Sequence, residues 1–104
     1  AKAALEASVR YLATDLGGRG IRVNALSPGP MRTLAGSAIA DARYVYRYSE
    51  QTSPLARNVL PGEVGAAGLF LVSNLSSGVT GEVHYVDGGM RAIGIPSPRD
   101  KSDG

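Results

Sequence analysis

The apolar residues at the start of the chain recur with the spacing of one helix face. Four of them lie three or four positions apart: Leu5, Val9, Leu12 and Leu16. Such spacing is typical of an amphipathic helix. Gly17 and Gly18 follow, and glycine adopts at low cost the left-handed conformation that ends many helices. We therefore predict a helix over residues 1–16.

The rest of the pattern predicts a strand, two helices and a second strand. Residues 21–26 (IRVNAL) are predicted to form a short strand before a Pro-Gly-Pro turn, and residues 83–86 (VHYV) a second strand before Asp-Gly-Gly. A helix is predicted over residues 37–48, with these side chains facing inward: Ile39, Ala42, Val45 or Tyr46, and Ser49. A further helix is predicted from Pro61 to residue 73, since proline suits a first helical position. Residues 52–60 and 74–81 are predicted to be loops.

This alternation of helices and strands predicts an α/β fold with parallel strands, the doubly wound or Rossmann type. Two strands are few for such a sheet, which usually has about five or six. The chain also starts without Met and inside a predicted helix. We therefore predict that residues 1–95 are the C-terminal half of one Rossmann-type domain whose other strands lie upstream. The polar residues 96–104 are predicted to be a mobile tail.

Composition and charge argue against several classes of function. The net charge of +2 is spread along the chain, so nucleic acid is a poor candidate partner. No apolar run approaches the roughly 20 residues that span a bilayer. The chain has no cysteine, which fits a reducing cytoplasm. No histidine and carboxylate residues have the spacing of metal ligands, and the single histidine, His84, is expected to be structural.

Four stretches carry a resemblance to a known family. Residues 22–30 (RVNALSPGP) and 80–89 (TGEVHYVDGG) resemble the strand with its Pro-Gly turn and the last strand of the short-chain dehydrogenase/reductases. Residues 29–35 (GPMRTLA) resemble the nicotinamide-side loop of the enoyl-acyl-carrier-protein reductase branch, and residues 1–7 (AKAALEA) resemble the start of its active-site helix. The resemblance runs in one register from residue 1 to about residue 93, and its motifs are specific only when taken together.

The resemblance implies a cofactor site. Lys2 falls at the position of the active-site lysine, where it would bind the nicotinamide ribose and stabilise an enolate, although by composition alone it is an ordinary solvated lysine. The Met31 backbone would pair with the nicotinamide carboxamide, and the Thr33 hydroxyl with the pyrophosphate. Arg32 would add charge there or remain exposed. The tyrosine that pairs with the lysine would stand shortly before residue 1. The cofactor-side residues that the resemblance implies are Lys2, Met31, Arg32, Thr33, Leu34 and Ala35.

The segment after this loop is implied to be a substrate-binding flap. It is built largely of small residues, which would let an acyl chain pass and the segment close over it. The substrate-side residues are Leu34, Ala35, Ile39 and Ala42. Ala42 departs from the family pattern, in which a larger apolar residue is frequent. The departure leaves the chain-length preference open.

The implied activity is reduction of a trans-2-enoyl thioester on acyl carrier protein, with NADH, or alternatively NADPH, as hydride donor in fatty acid biosynthesis. The implied partners are acyl carrier protein, further copies of the chain in a tetramer, and an N-terminal half that carries the glycine-rich phosphate loop. Two alternatives stay open from the residues. One is a ketoreductase of the same superfamily, and the other is a non-catalytic fragment that serves in assembly.

Overall fold

The computed structural model describes residues 2–31 and 40–93, with side chains described for residues 3–31 and 43–93. The elements follow one another in this order: α1 (Lys2–Gly17), β1 (Ala25–Pro28), α2 (Ala40–Thr52), α3 (Pro61–Val72), a 3₁₀ turn (Asn74–Ser76), β2 (Val83–Val86) and α4 (Met90–Ile93). The chain divides into two compact units, Ala1–Ser27 with Gly65–His84, and Pro28–Val64 with Tyr85–Gly104.

β1 and β2 form a two-stranded parallel sheet within the described residues. The amide of Ala25 donates to the carbonyl of Glu82 at 2.8 Å, and the amide of Gly29 donates to that of Val86 at 2.9 Å. Both donor and acceptor advance by four residues in the same direction, which is the register of a parallel pair. The parallel α/β arrangement predicted from the alternation of elements is thus confirmed.

The predicted bounds of the first strand are wrong. β1 begins at Ala25 rather than at residue 21, and it includes Pro28, which was expected in the turn. The pairing before Ala25 is mixed. The Gly81 amide donates to the Val23 carbonyl at 2.8 Å, but the Val23 amide donates to Thr80 Oγ1 and the Glu82 amide donates to Asn24 Oδ1. Pro28 fits because donors to a parallel neighbour alternate along a strand: the amides of Ala25 and Gly29, an even number of residues apart, face β2, and position 28 faces away.

Helix α1 is buried along a narrower line than its apolar pattern predicts. Val9 and Ala13 are buried, whereas Leu5 and Leu12 are 60% and 47% exposed in this chain. Val9 and Ala13 lie one turn apart on the same side of the helix. A β-carbon built on Gly81 would lie 3.5 Å from that of Ala13, which shows how closely the loop before β2 approaches α1.

Arg22 ties the start of β1 to the end of α3. Its Nη1 donates to the carbonyls of Leu71 (3.1 Å) and Val79 (3.2 Å) and to Ser76 Oγ (2.9 Å), and its Nη2 donates to the carbonyl of Ser73 (3.1 Å). The last carbonyls of a helix lack intrahelical partners and carry partial negative charge. The planar guanidinium therefore satisfies this helix end and fixes the turn that follows it.

Helix α2 buries Tyr46, Ser49 and Thr52 on one side. Of the two residues offered for one inward position, Tyr46 is buried and Val45 is exposed. The helix runs to Thr52, four residues beyond the predicted end, because the Thr52 hydroxyl bonds back to the Tyr48 carbonyl and the Ser53 amide bonds to that of Ser49. Its predicted start at residue 37, and Ile39, lie outside the described residues.

Helix α3 begins at Pro61 as predicted and ends within one residue of the predicted end. Its first turn is fixed by Glu63, whose Oε1 accepts a hydrogen bond from the Leu60 amide at 2.8 Å. This is half of a capping box, in which an acidic side chain three residues into the helix satisfies the amide before it. The short helix α4 was not predicted.

Candidate functional site

The turns that follow the two strands lie against each other. A β-carbon on Gly29, just after β1, would stand 2.9 Å from the Cα of Asp87, just after β2, a distance that real β-carbons do not tolerate. Glycine is therefore required at position 29 by close approach alone. Ligands of open parallel sheets bind beyond the carboxyl ends of the strands, so these turns form the expected place for a site.

The turn after β2 is held by the side chain of Asp87. Its Oδ1 accepts a hydrogen bond from the Gly89 amide at 3.0 Å and its Oδ2 accepts one from the Arg91 amide at 2.9 Å. Gly88 and Gly89 have φ values of +67° and +93°, a region that favours glycine. The Asp-Gly-Gly sequence thus folds into a tight turn that leads directly into α4.

The linker between α2 and α3 braces this turn from another side. The Leu55 amide donates to the Gly88 carbonyl at 3.0 Å, and a β-carbon on Gly89 would lie 2.8 Å from Cγ of Pro54. Ser53 is fully buried, and its hydroxyl both donates to the Arg57 carbonyl and accepts from the Arg57 amide. The linker is therefore a closed loop packed on the turn.

An open cleft of about 390 Å³ is lined on one side by the linker and on the other by β2 and its turn. Its charged lining residues are Arg57, Glu63 and Asp87. The two terminal nitrogens of the Arg57 guanidinium, Nη1 and Nη2, donate to the Glu63 carboxylate at 2.8 Å. These hydrogen bonds, then the Leu60 amide, lower the pKa of Glu63 to about 2, and the same pairing raises the pKa of Arg57. Two of the three charges are thus engaged with each other.

A second, larger groove of about 1040 Å³ runs beside α2. Arg47, Glu50 and Gln51 line it on the helix side, and residues 56–61 line it on the linker side. Asn58 Nδ2 donates to Glu50 Oε1 at 3.1 Å, while Asn58 Oδ1 is buried without a hydrogen-bond partner among the described residues. The groove carries charges of both signs.

Most of the predicted site residues fall outside what the structure describes. Met31 is described and half-buried, three residues after the end of β1. Lys2 and Ala42 belong to α1 and α2, but their side chains lie outside the described residues. The remaining predicted residues lie outside the described residues altogether: Arg32, Thr33, Leu34, Ala35 and Ile39. The convergence of Lys2 and Met31 on one nicotinamide therefore stays a prediction.

The contacts that sequence reasoning did not find are those that hold the strand ends. The approach of Gly29 to Asp87 joins residues far apart in the chain, so no local pattern marks it. The Glu63 cap had a local signal, because an acidic residue two positions after a helix-initiating proline matches the capping pattern. The four bonds of Arg22 had no such signal.

Among the described residues, no three or more His, Cys, Asp or Glu side chains are grouped as a metal site would require. None of the described helices is both long and apolar enough to span a membrane.

Comparison with known proteins identifies the family. The family model described as enoyl-(acyl carrier protein) reductase matches residues 1–91. The chain belongs to this family. An enoyl-[acyl-carrier-protein] reductase [NADH] of Rhizobium meliloti (strain 1021) is 62% identical over 95 residues, which are 91% of this chain and 35% of the relative. A Rickettsia typhi reductase of the same name is 56% identical over 94 residues, or 90% of this chain and 36% of that protein.

Solved structures of the enoyl reductase family have the same fold. The reductase of Candidatus Liberibacter asiaticus superposes with a TM-score of 0.82 at 51% identity and covers 92% of this chain and 37% of its own. That of Anaplasma phagocytophilum, solved with NAD, gives 0.83 at 46% identity, with 95% and 36% covered. That of Bacillus cereus, solved with NADP⁺ and an indole naphthyridinone, gives 0.80 at 50% identity, with 89% and 36% covered.

These likenesses confirm the Rossmann-type α/β fold class. They also show that the chain spans only about a third of the length of the relatives that it matches.

Proposed function

We propose that this chain is the C-terminal part of an NADH-dependent enoyl-acyl-carrier-protein reductase. The match of the family model over residues 1–91 carries the proposal. In the reaction, a hydride passes from C4 of NADH to C3 of a trans-2-enoyl thioester on acyl carrier protein. The electron pair of the double bond moves to the thioester as an enolate, a proton adds at C2, and NAD⁺ and the saturated thioester leave. NADPH is the alternative donor, supported by the NADP⁺ bound to the Bacillus cereus relative.

We assign the nicotinamide side of the site to residues 2 and 31–35. The Lys2 ammonium would bind the nicotinamide ribose and stabilise the enolate, as a fixed cation does where negative charge develops. The backbone of Met31 would bind the carboxamide, whose donor and acceptor match one peptide unit. The Thr33 hydroxyl would bind the pyrophosphate with help from Arg32. The position of Met31 beyond the carboxyl end of β1 supports this assignment.

We assign the acyl chain to a flap that contains Leu34, Ala35, Ile39 and Ala42. Closing of such a segment would exclude water from the hydride and enolate, which a reaction of this type needs. Alanine at position 42 gives less bulk beside the acyl chain than the larger apolar residue frequent in the family.

The proposed partners are acyl carrier protein, an N-terminal half and further copies of the chain. Arg43 and Arg47 are exposed on α2, where they would attract an acidic carrier protein. Leu69 and Val72 of α3 and Leu75 after it are between 68% and 83% exposed, which supports assembly into a tetramer through this face. The lack of cysteine fits a cytoplasmic location. These apolar residues also fit the alternative that the chain serves in assembly alone.

A hybrid protein tests the proposal. Residues 1–95 of this chain would replace the matching stretch of the Rhizobium meliloti reductase, to give the hybrid reductase. We expect NADH oxidation that depends on a trans-2-enoyl thioester and forms the saturated thioester. Activity on a 3-oxoacyl thioester instead would favour the ketoreductase. A folded hybrid that is inactive on both substrates, although the Rhizobium meliloti parent is active, would contradict the proposed function.

A further inference from the structure

The turn after β2 and the turn after β1 meet at one contact, between Asp87 and Gly29. We infer that Asp87 is a positioning residue that sets the place of the turn after β1, and so of the Met31 backbone proposed to bind the nicotinamide. The inference rests on the proposed function only for the identity of the ligand. The Asp87 carboxylate touches neither cofactor nor substrate in this assignment, and it acts through the backbone.

The steric part of the argument lies in the contact itself. The Gly29 amide donates to the Val86 carbonyl at 2.9 Å, which draws the end of β1 onto the residue before Asp87. A β-carbon on Gly29 would stand 2.9 Å from the Asp87 Cα and 3.0 Å from its Cβ. The backbone of Asp87 is therefore in direct van der Waals contact with residue 29 and limits its position. Any shift of the Asp87 backbone therefore moves Gly29, which lies two residues before Met31.

The carboxylate of Asp87 fixes the position of its own backbone. Its two oxygens accept hydrogen bonds from the amides of Gly89 and Arg91, and the Asp87 carbonyl accepts one from the Met90 amide at 3.3 Å. These bonds close the turn over Asp87 and start α4. The guanidinium of Arg91, 5.2 Å from the centroid of the Tyr85 ring, holds the same turn from its far end.

The linker between α2 and α3 packs against the opposite side of the turn. The Leu55 amide bonds the Gly88 carbonyl, and β-carbons on Gly88 and Gly89 would meet Arg57 and Pro54 at 3.3 and 2.8 Å. The turn is thus enclosed between the linker and Gly29. If the carboxylate bonds are lost, the turn changes its contacts with both neighbours, and Gly29 is the neighbour that leads to Met31.

The hybrid reductase carries the test, with Asp87→Asn as the main variant. An amide keeps the size of the side chain but accepts only one of the two hydrogen bonds, because its NH₂ group faces an amide donor. We expect the dissociation constant and KM for NADH to rise about five- to tenfold, as the loss of one or two such bonds would give. The KM for the enoyl thioester should change less than about twofold.

Glu63→Gln is the matched control. It makes the same carboxylate-to-amide change at a residue that also caps backbone, the Leu60 amide, at the start of α3. A merely structural loss would lower the stability of both variants and leave NADH affinity unchanged in both. Asp87→Ser should raise the dissociation constant for NADH about as much as Asp87→Asn, since its hydroxyl can accept the bond from the Gly89 amide but not also that from Arg91. Gly29→Ala places a β-carbon against the Asp87 backbone. It should therefore raise the dissociation constant for NADH as Asp87→Asn does.

An NADH dissociation constant in Asp87→Asn within about twofold of the unmodified hybrid, or raised no more than in Glu63→Gln, would overturn the inference. If Asp87→Asn does not fold, Asp87→Ser and Gly29→Ala decide by the same criterion. NADH binding is measured by titration without enoyl substrate. A hybrid that binds NADH but reduces no enoyl thioester would therefore refute the proposed function and still test the role of Asp87.

Discussion

Two single residues in the linker between α2 and α3 carry measurable consequences. Ala56 has a φ of +57°, and it is the one residue other than glycine in this region of φ among those that the structure describes. Arg57, the next residue, is the cation of the ion pair with Glu63. The backbone that closes the linker on the turn after β2 is thus held in a conformation that its sequence does not favour locally.

Replacement of Ala56 by glycine is expected to stabilise the protein slightly. The left-handed conformation costs an L-residue about 1–2 kcal/mol, and the greater freedom of glycine in the unfolded chain returns about 0.5–1 kcal/mol of this. We expect a gain of up to about 1 kcal/mol from the urea midpoint of the hybrid reductase. Ala66→Gly, on the exposed side of α3, is the control and should lose about 1 kcal/mol. Equal losses in the two variants would contradict the prediction.

The ion pair of Arg57 and Glu63 predicts a loss of stability in acid. The folded-state pKa of Glu63 is lowered from 4.5 to about 2, so its contribution is present above about pH 4.5 and is lost as the pH falls toward 2. Because both groups are exposed, added salt should weaken the effect. Urea midpoints of the hybrid and of Glu63→Gln should differ at pH 6–7 and converge in acid. A difference that is independent of pH would show that the carboxylate charge contributes nothing.

At the scale of the elements, Arg22 joins β1 to α3. Its four hydrogen bonds span the end of α3, the 3₁₀ turn and the loop before β2. A lysine ammonium is a point donor and cannot reach these acceptors as a fork does. We expect Arg22→Lys to destabilise the hybrid by about 1–3 kcal/mol in urea. Arg19→Lys, at an exposed position in the turn after α1, should change stability by less than about 0.5 kcal/mol. Equal effects would refute the structural role of Arg22.

The bounds of the elements were predictable where a local signal starts or ends them. Pro61 marks the start of α3, and Gly17 and Gly18 mark the end of α1. The prediction failed where side chains compete with the backbone for hydrogen bonds. Asn24 delays the regular pairing of β1, because its side chain takes the place of a ladder bond. Thr52 prolongs α2 by bonding to the Tyr48 carbonyl.

At the scale of the whole molecule, the part of the chain that the structure describes has fewer strands than a dinucleotide-binding sheet usually has. The sheet that the structure describes has two strands, and parallel sheets are normally covered on both faces with few open edges. Leu5 and Leu12 of α1 are exposed in this chain, where a larger fold would cover them. The glycine-rich loop that binds the phosphates of a dinucleotide has no match in the 104 residues.

We therefore expect the 104-residue chain by itself to show no saturable binding of NADH in a fluorescence titration, whereas the hybrid reductase binds it. The Rhizobium meliloti parent serves as the positive control. Denatured hybrid is the negative control, since nonspecific quenching would appear there too. Binding by the isolated chain with an affinity close to that of the hybrid would show that residues 1–95 form a complete cofactor site.

The sequence by itself determined the fold class, the order of the main elements and the family. Apolar periodicity, Pro61 and paired glycines are local features, and each acts on the few residues beside it. Only the tertiary structure decided which apolar residues of α1 are buried, where β1 begins and what Asp87 does. Each of these depends on a residue distant in the chain: Gly81 beside Ala13, Thr80 bonded to Val23, and Gly29 against Asp87. Contacts of this kind follow from how strands and helices pack, and no local pattern encodes them.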